Sequence, residues 1–281
     1  MPLDLQWFTA SVFAVFGLLI GSFLNVVVYR LPKMMERQWS NECAEISGKP
    51  RDEATPFNLV VPRSRCPHCG HPIHWYENVP VLSYMALRGR CSKCKANISI
   101  RYPLVEVLTS GLFFFCGWHW GATLQGLLWC AFSAMLLALA LIDWDTTLLP
   151  DDLTLPLLWL GLLAAAMNWT PVGLNNAFWG VVGGYISLWL IYWAFKLATG
   201  KEGMGYGDFK LFASLGAWFG WQTLIPIILM ASVIGAIIGI AMKFTTGLRE
   251  GGYVPFGPFL AGAGFAGLFL GNNALQRAVG L

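Results

Sequence analysis

Charged residues are scarce in this 281-residue chain: Lys, Arg, Asp and Glu make up 12% of it, against about 25% in an ordinary soluble domain. With 56% of its residues hydrophobic, a water-soluble globule of this length has no way to hide its apolar side chains. Disordered chains are poor in aromatics, and an aromatic content of 15% excludes that class too. The net charge is only +3, too small for the basic face of a nucleic-acid binder. The first six residues, Met1 to Gln6, contain no Lys or Arg, so the apolar stretch behind them is not expected to be a cleaved signal peptide. No glycine fingerprint follows a strand pattern, so the residues themselves show no nucleotide-binding fold. No inverted repeat of the kind common in transporters is detected.

The charges that do occur are segregated. Residues 30–101 hold 12 Lys/Arg and 6 Asp/Glu, whereas the other 209 residues hold 15 charges in all. Eight apolar stretches flank or follow this polar segment, at about 8–29, 104–117, 122–142, 153–168, 174–197, 209–221, 223–242 and 256–270. Against the roughly 20 residues that cross the hydrocarbon, the second, fourth, sixth and eighth are short. The pattern predicts an all-α polytopic membrane protein with about eight transmembrane helices. Its expected parts are a first helix over 1–29, a polar loop domain over 30–101 and a transmembrane core over 102–281.

Lys and Arg near helix ends mark the cytoplasmic side. The basic 30–101 segment is therefore expected inside and the amino terminus outside. Alternation then puts the turns at 143–152, 198–208 and 243–254 inside, with Lys196, Lys201, Lys243 and Arg249, and leaves only Arg277 outside. Small residues recur at four-residue spacing in Gly17/Gly21, Gly180/Gly184 and Gly235/Gly239, which lets helix backbones approach in lipid. Helix packing is the expected role of these glycines.

Four of the 7 cysteines form Cys66-Pro-His-Cys69 and Cys91-Ser-Lys-Cys94, with 21 residues between the knuckles. Two such knuckles suit one tetrahedral Zn²⁺. On a cytoplasmic loop, disulfides are disfavoured. Four thiolates would close the coordination shell, so the ion is expected to be structural. His68, His71 and His74 could offer ligands but read as exposed loop histidines. Cys116 and Cys130 read as packing residues, and Cys43 carries no signal.

Outside the loop, carboxylates gather where helices end. Asp143 and Asp145 close the third apolar stretch, Asp151 and Asp152 precede the fourth, and Asp208 precedes the sixth. An ionisable group in or near hydrocarbon costs about 2.5–3.5 kcal/mol or more, so each needs a partner or a function. Asp151 and Asp152 fit the start of a helix, where the dipole favours anions, and Asp145 fits a solvated loop. Asp143 and Asp208 abut long uncharged runs, and Gly205 and Gly207 clear space that substrate backbone could enter. Two carboxyls in hydrogen-bond reach share one proton. The charged one can then activate water against a peptide carbonyl while the protonated one polarises it.

Several motifs occur in order: Gly21-Ser22-Phe23-Leu24-Asn25 with Arg30-Leu31-Pro32, the paired knuckles, Arg101-Tyr102-Pro103-Leu104-Val105-Glu106, Asp143 through Leu149-Pro150-Asp151, Gly203-Met204-Gly205-Tyr206-Gly207-Asp208-Phe209-Lys210 and Pro255-Phe256-Gly257-Pro258. Together they resemble the bacterial type IV prepilin peptidases, the leader peptidase/N-methyltransferases of aspartic peptidase family A24. The resemblance covers nearly the whole chain. It implies an inner-membrane aspartic endopeptidase that cuts the basic leader of prepilins and type II secretion pseudopilins on the cytoplasmic side. It also implies methylation of the new amine by S-adenosylmethionine in many members. The catalytic pair carries over to Asp143 and Asp208, with Asp145 the rival to Asp143. Cys66, Cys69, Cys91 and Cys94 carry over to a zinc-binding cytoplasmic loop. Loop residues including Arg30, and Glu106 beyond the loop, are candidates for the methyl-transfer site, against plain readings as a membrane-edge anchor and a buried structural partner. Two other classes compete: a transporter with intramembrane carboxylates, and a secretion-system scaffold with a zinc docking loop. The expected surroundings are membrane lipid and a prepilin-type substrate.

Overall fold

A backbone in lipid has no water to bond, so long apolar stretches close their hydrogen bonds internally as helices. In the computed structural model, which describes residues 3–48, 56–245, 254–278 and 280, helices dominate and no strand occurs among the described residues. The elements in order are α1 (Leu3–Ile46), a 3₁₀ turn (Trp75–Asn78), α2 (Leu82–Ala86), α3 (Arg101–Trp120), α4 (Leu124–Thr146), α5 (Asp151–Ala166), α6 (Leu174–Thr199), α7 (Tyr206–Phe219), α8 (Trp221–Thr245), α9 (Gly257–Leu270) and α10 (Asn272–Ala278). Each of the eight apolar stretches falls on one helix, in the order α1 and α3 to α9. Four of them, α1, α4, α6 and α8, are long and apolar enough to cross a membrane, and α9 is a shorter apolar helix.

The first helix differs from expectation. Its apolar part ends near Tyr29, yet α1 continues through Pro32 to Ile46. The added turns are rich in Met, Glu, Gln and Arg, good helix formers, and Gln38 Nε2 donates to Glu42 Oε1 one turn on at 2.9 Å. The polar segment therefore begins as helix, not as loop.

The chain divides into two compact units, Met1–Ala134 and Met135–Leu281, with the division inside α4. In the first unit α1 lies along α3. A Cβ at Gly17 would sit 2.7 Å from Ser110 Cα, and one at Gly21 2.7 Å from Glu106 Cα. Only glycine permits that approach. The Ser110 hydroxyl donates across the same seam to Ala14 O at 2.9 Å.

In the second unit α7 is the central element, in contact with α5, α6, α8 and α9. Every residue from Asp208 to Phe219 except Lys210 is buried. This explains a helix of 14 residues: enclosed by protein, it need not match the bilayer thickness. Gly180 of α6 and Gly216 of α7 meet backbone to backbone. On the opposite seam Trp218 Nε1 donates to Leu157 O at 2.9 Å, and Ser214 Oγ donates to Thr154 O at 3.1 Å. Gly184 faces Ala213, and Gly235 faces the Phe259 ring. Five of these six glycines serve helix packing, as their spacing predicts, whereas Gly239 faces only Val254, ahead of α9.

Candidate active site and cysteine centre

Asp143 occupies the last turn of α4, the end at which the helix dipole opposes a negative charge. It is only 4% exposed. The start of another helix compensates: the Gly257 N–H donates to Asp143 Oδ2 at 2.9 Å. That N–H is one of the first-turn donors of α9 that no carbonyl of their own helix reaches. A side chain at Gly257 would crowd the carboxylate, because its Cβ would fall 2.6 Å from Asp143 Oδ2.

Asp208 lies in the first turn of α7, where the dipole favours a carboxylate. Its Oδ2 accepts the Gly205 N–H at 3.3 Å. Its Oδ1 is buried and has no hydrogen-bond partner among the described residues. Asp208 is 7% exposed, and the charge of Asp143 acts on it. The fold thus places two acids from helices far apart in sequence within electrostatic reach of one another and withdraws both from water. Asp145, two residues on, is exposed.

The neighbouring turn is fixed on the same helix. Leu149 fills the space beside Gly207, where a Cβ would meet Leu149 Cβ at 2.7 Å. The expectation that both glycines clear room for substrate is corrected at Gly207, since this chain's own Leu149 takes that room. Asp151 and Asp152 stand in the first turn of α5 behind Pro150, in the dipole-favoured position their sequence implies. Asp151 also receives Lys210 Nζ on both oxygens, at 2.7 and 2.8 Å.

In the polar segment the four cysteine sulfurs lie within 4.8 Å of one another, and Cys66 Sγ to Cys94 Sγ is 3.7 Å. Four Zn–S bonds of about 2.3 Å in a tetrahedron place sulfurs about 3.8 Å apart, so these residues fit a zinc ion. Backbone N–H groups of Cys94 and Lys93 aim at Cys91 Sγ and favour its thiolate form. The knuckles repeat one design at an offset of 25 residues. Cys66 N–H donates to His71 O and Cys91 N–H to Ala96 O, both at 2.9 Å. Arg65 bridges Pro72 as Arg90 bridges Asn97. The residue after the second cysteine, Gly70 or Lys95, has positive φ in each.

The methyl-transfer candidates are engaged by their own unit. Arg30, 7% exposed, donates through Nη1 to Asn58 O at 2.9 Å and lies over the Phe57 ring. Glu106 accepts the Val81 N–H at 2.8 Å and a bond from Ser22. Both arrangements brace the chain itself.

Two features escaped the sequence reading. The repeat Arg-Cys-x-x-Cys-x-x-x-Ile over 65–73 and 90–98 was legible in principle. The contact of Gly257 with Asp143 was not, because no local pattern links a helix start to a carboxylate on another helix.

Known proteins resemble this chain along nearly its whole length. Residues 15–120 match the bacterial peptidase A24 N-terminal domain, and residues 130–240 match the type IV leader peptidase family. The chain is 53% identical over 260 residues to a prepilin leader peptidase/N-methyltransferase of Pseudomonas putida, covering 92% of this chain and 90% of that one. It is 53% identical over 258 residues to the protein of that name from Pseudomonas aeruginosa, covering 92% and 89%. For the Aeromonas hydrophila protein of that name the identity is 50% over 276 residues, covering 96% and 93%. No solved structure matches. Matched in both parts and along nearly its whole length, the chain belongs to the type IV leader peptidase family, the A24 peptidases.

Proposed function

We propose that this chain is an aspartic endopeptidase of the bacterial inner membrane that removes the leader from type IV prepilins and type II secretion pseudopilins, and then methylates the new amino terminus. The observation that carries the reading is the buried pair Asp143 and Asp208. Neither a transporter nor a scaffold is favoured by relatives named leader peptidases.

The pair acts on water and a peptide bond. Asp143, steadied by the Gly257 N–H, is the charged partner and takes a proton from water as the water oxygen attacks the scissile carbonyl carbon. Asp208, with Oδ1 unengaged, holds the shared proton and donates it to the carbonyl oxygen. Collapse of the tetrahedral intermediate breaks the C–N bond, and a proton passes to the leaving amine. Neither a serine nucleophile nor a metal enters these steps.

In this reading residues 1–29 form the first membrane helix, 30–101 a cytoplasmic zinc-binding domain and 102–281 the peptidase core, with the amino terminus outside. Cys66, Cys69, Cys91 and Cys94 hold Zn²⁺ as a structural cross-link. S-adenosylmethionine supplies the methyl group, and no step is assigned to residues of this chain for that transfer. Exposed Asp152 offers negative charge to a basic leader, while Asp151 is engaged by Lys210.

Incubating the detergent-solubilised protein with a prepilin tests the reading. Loss of the leader mass, followed by gain of one methyl group when S-adenosylmethionine is added, is expected. An unchanged prepilin mass would refute the peptidase, and cleavage without methyl gain would refute the second activity alone.

A further inference from the structure

A third group of chemistry-bearing side chains shares no member with the aspartates or the four thiols. His71, His74 and Glu77 each bring one ligand atom to within 4.8 Å of the other two. The first follows the Cys66–Cys69 knuckle, and the last lies in the 3₁₀ turn Trp75–Asn78. The sequence reading treats the histidines as exposed, and His74 and His68 are. His71 is not, with its side chain 19% exposed and that of Glu77 9% exposed.

The spacing of these atoms is informative. His71 Nε2 lies 3.5 Å from Glu77 Oε2. Direct N–H···O bonds cluster near 2.9–3.0 Å. Ligands on a tetrahedral ion with bonds of about 2.0–2.1 Å are about 3.3–3.4 Å apart. The separation matches two donors sharing an ion more closely than a direct hydrogen bond. The carboxylate is also oriented from behind, because Glu77 Oε2 accepts the His74 backbone N–H at 2.9 Å and Glu77 is bonded by Ser92. Ligands of real metal sites are steered in this way by outer partners. The His74 ring is stacked on Tyr76, with centroids 5.4 Å apart and planes at 6°, and meets the His71 ring edge-on at 5.6 Å.

We propose that His71, His74 and Glu77 form a second metal site, for a divalent transition ion of the zinc class, with water in the remaining position on the exposed His74 side. Two imidazoles and one carboxylate make a borderline donor set suited to such ions and poor for Mg²⁺ or Ca²⁺. The site has three protein ligands and an open position, so it exchanges its ion faster than the closed four-thiolate centre. Because Ser92 follows Cys91, an ion here also joins the turn at 75–78 to the second knuckle.

Cobalt titration of the full-length, untagged protein in detergent, stripped of metal by a chelator, separates the two sites. One equivalent of Co²⁺ should give intense thiolate charge-transfer bands, and a second should bind without adding to them. His71→Ala and His74→Ala should each reduce the stoichiometry from two to one and keep the thiolate bands. His68→Ala should leave it at two. Should an alanine variant lose the thiolate bands as well, Glu77→Gln decides, since Gln keeps an acceptor for the His74 N–H while removing the ligand charge. It should weaken the second equivalent at least tenfold with the thiolate bands intact. Binding of a single equivalent by the unaltered protein would overturn the proposal, as would a second equivalent indifferent to Glu77→Gln or one removed by His68→Ala.

Discussion

The cysteine centre and the aspartate pair are assembled in opposite ways. Each knuckle is shaped within nine residues by its own backbone bonds, a bridge and one residue of positive φ, and the design is used twice. The aspartates stand on α4 and α7, and the first is held by the start of α9. The thiolate centre therefore depends on local chain geometry, whereas the acid pair depends on three helices packing correctly. A local site survives changes elsewhere, while a site built by packing fails when a distant seam shifts.

The largest expected effect is at the pair itself. Asp208→Asn should lower prepilin cleavage by on the order of 10³-fold, the scale of a lost acid–base group. Asp145→Asn should stay within a few-fold, since that residue is exposed; mass spectrometry of the cleaved prepilin reads both. Next comes Gly257→Ala. Its methyl would displace Asp143 Oδ2, and a misplacement near 1 Å costs up to about 100-fold in rate. The same variant should keep its zinc on metal analysis, because no knuckle bond is altered. Zinc loss on Gly257→Ala would break the contrast between the sites.

Cys66→Ser probes the other side of the comparison. It removes one thiolate from a centre of a kind whose binding is worth about 10–16 kcal/mol in small domains. The four-cysteine centre should lose its ion on metal analysis, and trypsin should cut at Arg65 or Arg90 roughly tenfold faster as the loop opens. The smallest effect is expected at Lys210→Met. The Lys210–Asp151 pair is partly exposed, at 32% and 53%, and such pairs contribute about 0–1 kcal/mol. The melting temperature should fall by a few degrees at most.

This contrast also decides what the sequence discloses. The cysteine ligands are readable because their geometry is short-range, and the spacing names the ion class. The eight apolar stretches are readable because hydrocarbon imposes length and composition. Asp143 and Asp208 stand out individually, as acids against uncharged runs, but nothing local says that they meet. The span of α7 looks marginal in the sequence, and its enclosure by α5, α6, α8 and α9 explains why 14 residues suffice. The extension of α1 to Ile46 is hidden because a polar segment reads as loop unless helix propensity is weighed. Gly207 illustrates the reverse error: a glycine beside a candidate acid invites a substrate, yet Leu149 already fills the space.

The most direct measurement is the cleavage rate of one prepilin by the unaltered protein, Asp143→Asn, Asp208→Asn and the double variant, each checked for equal helicity. Residues that act as a unit are grossly non-additive, so the double variant should be no slower than the slower single one. Losses that multiply in the double variant, or a single variant that cleaves at the unaltered rate, would contradict the shared role of the two acids.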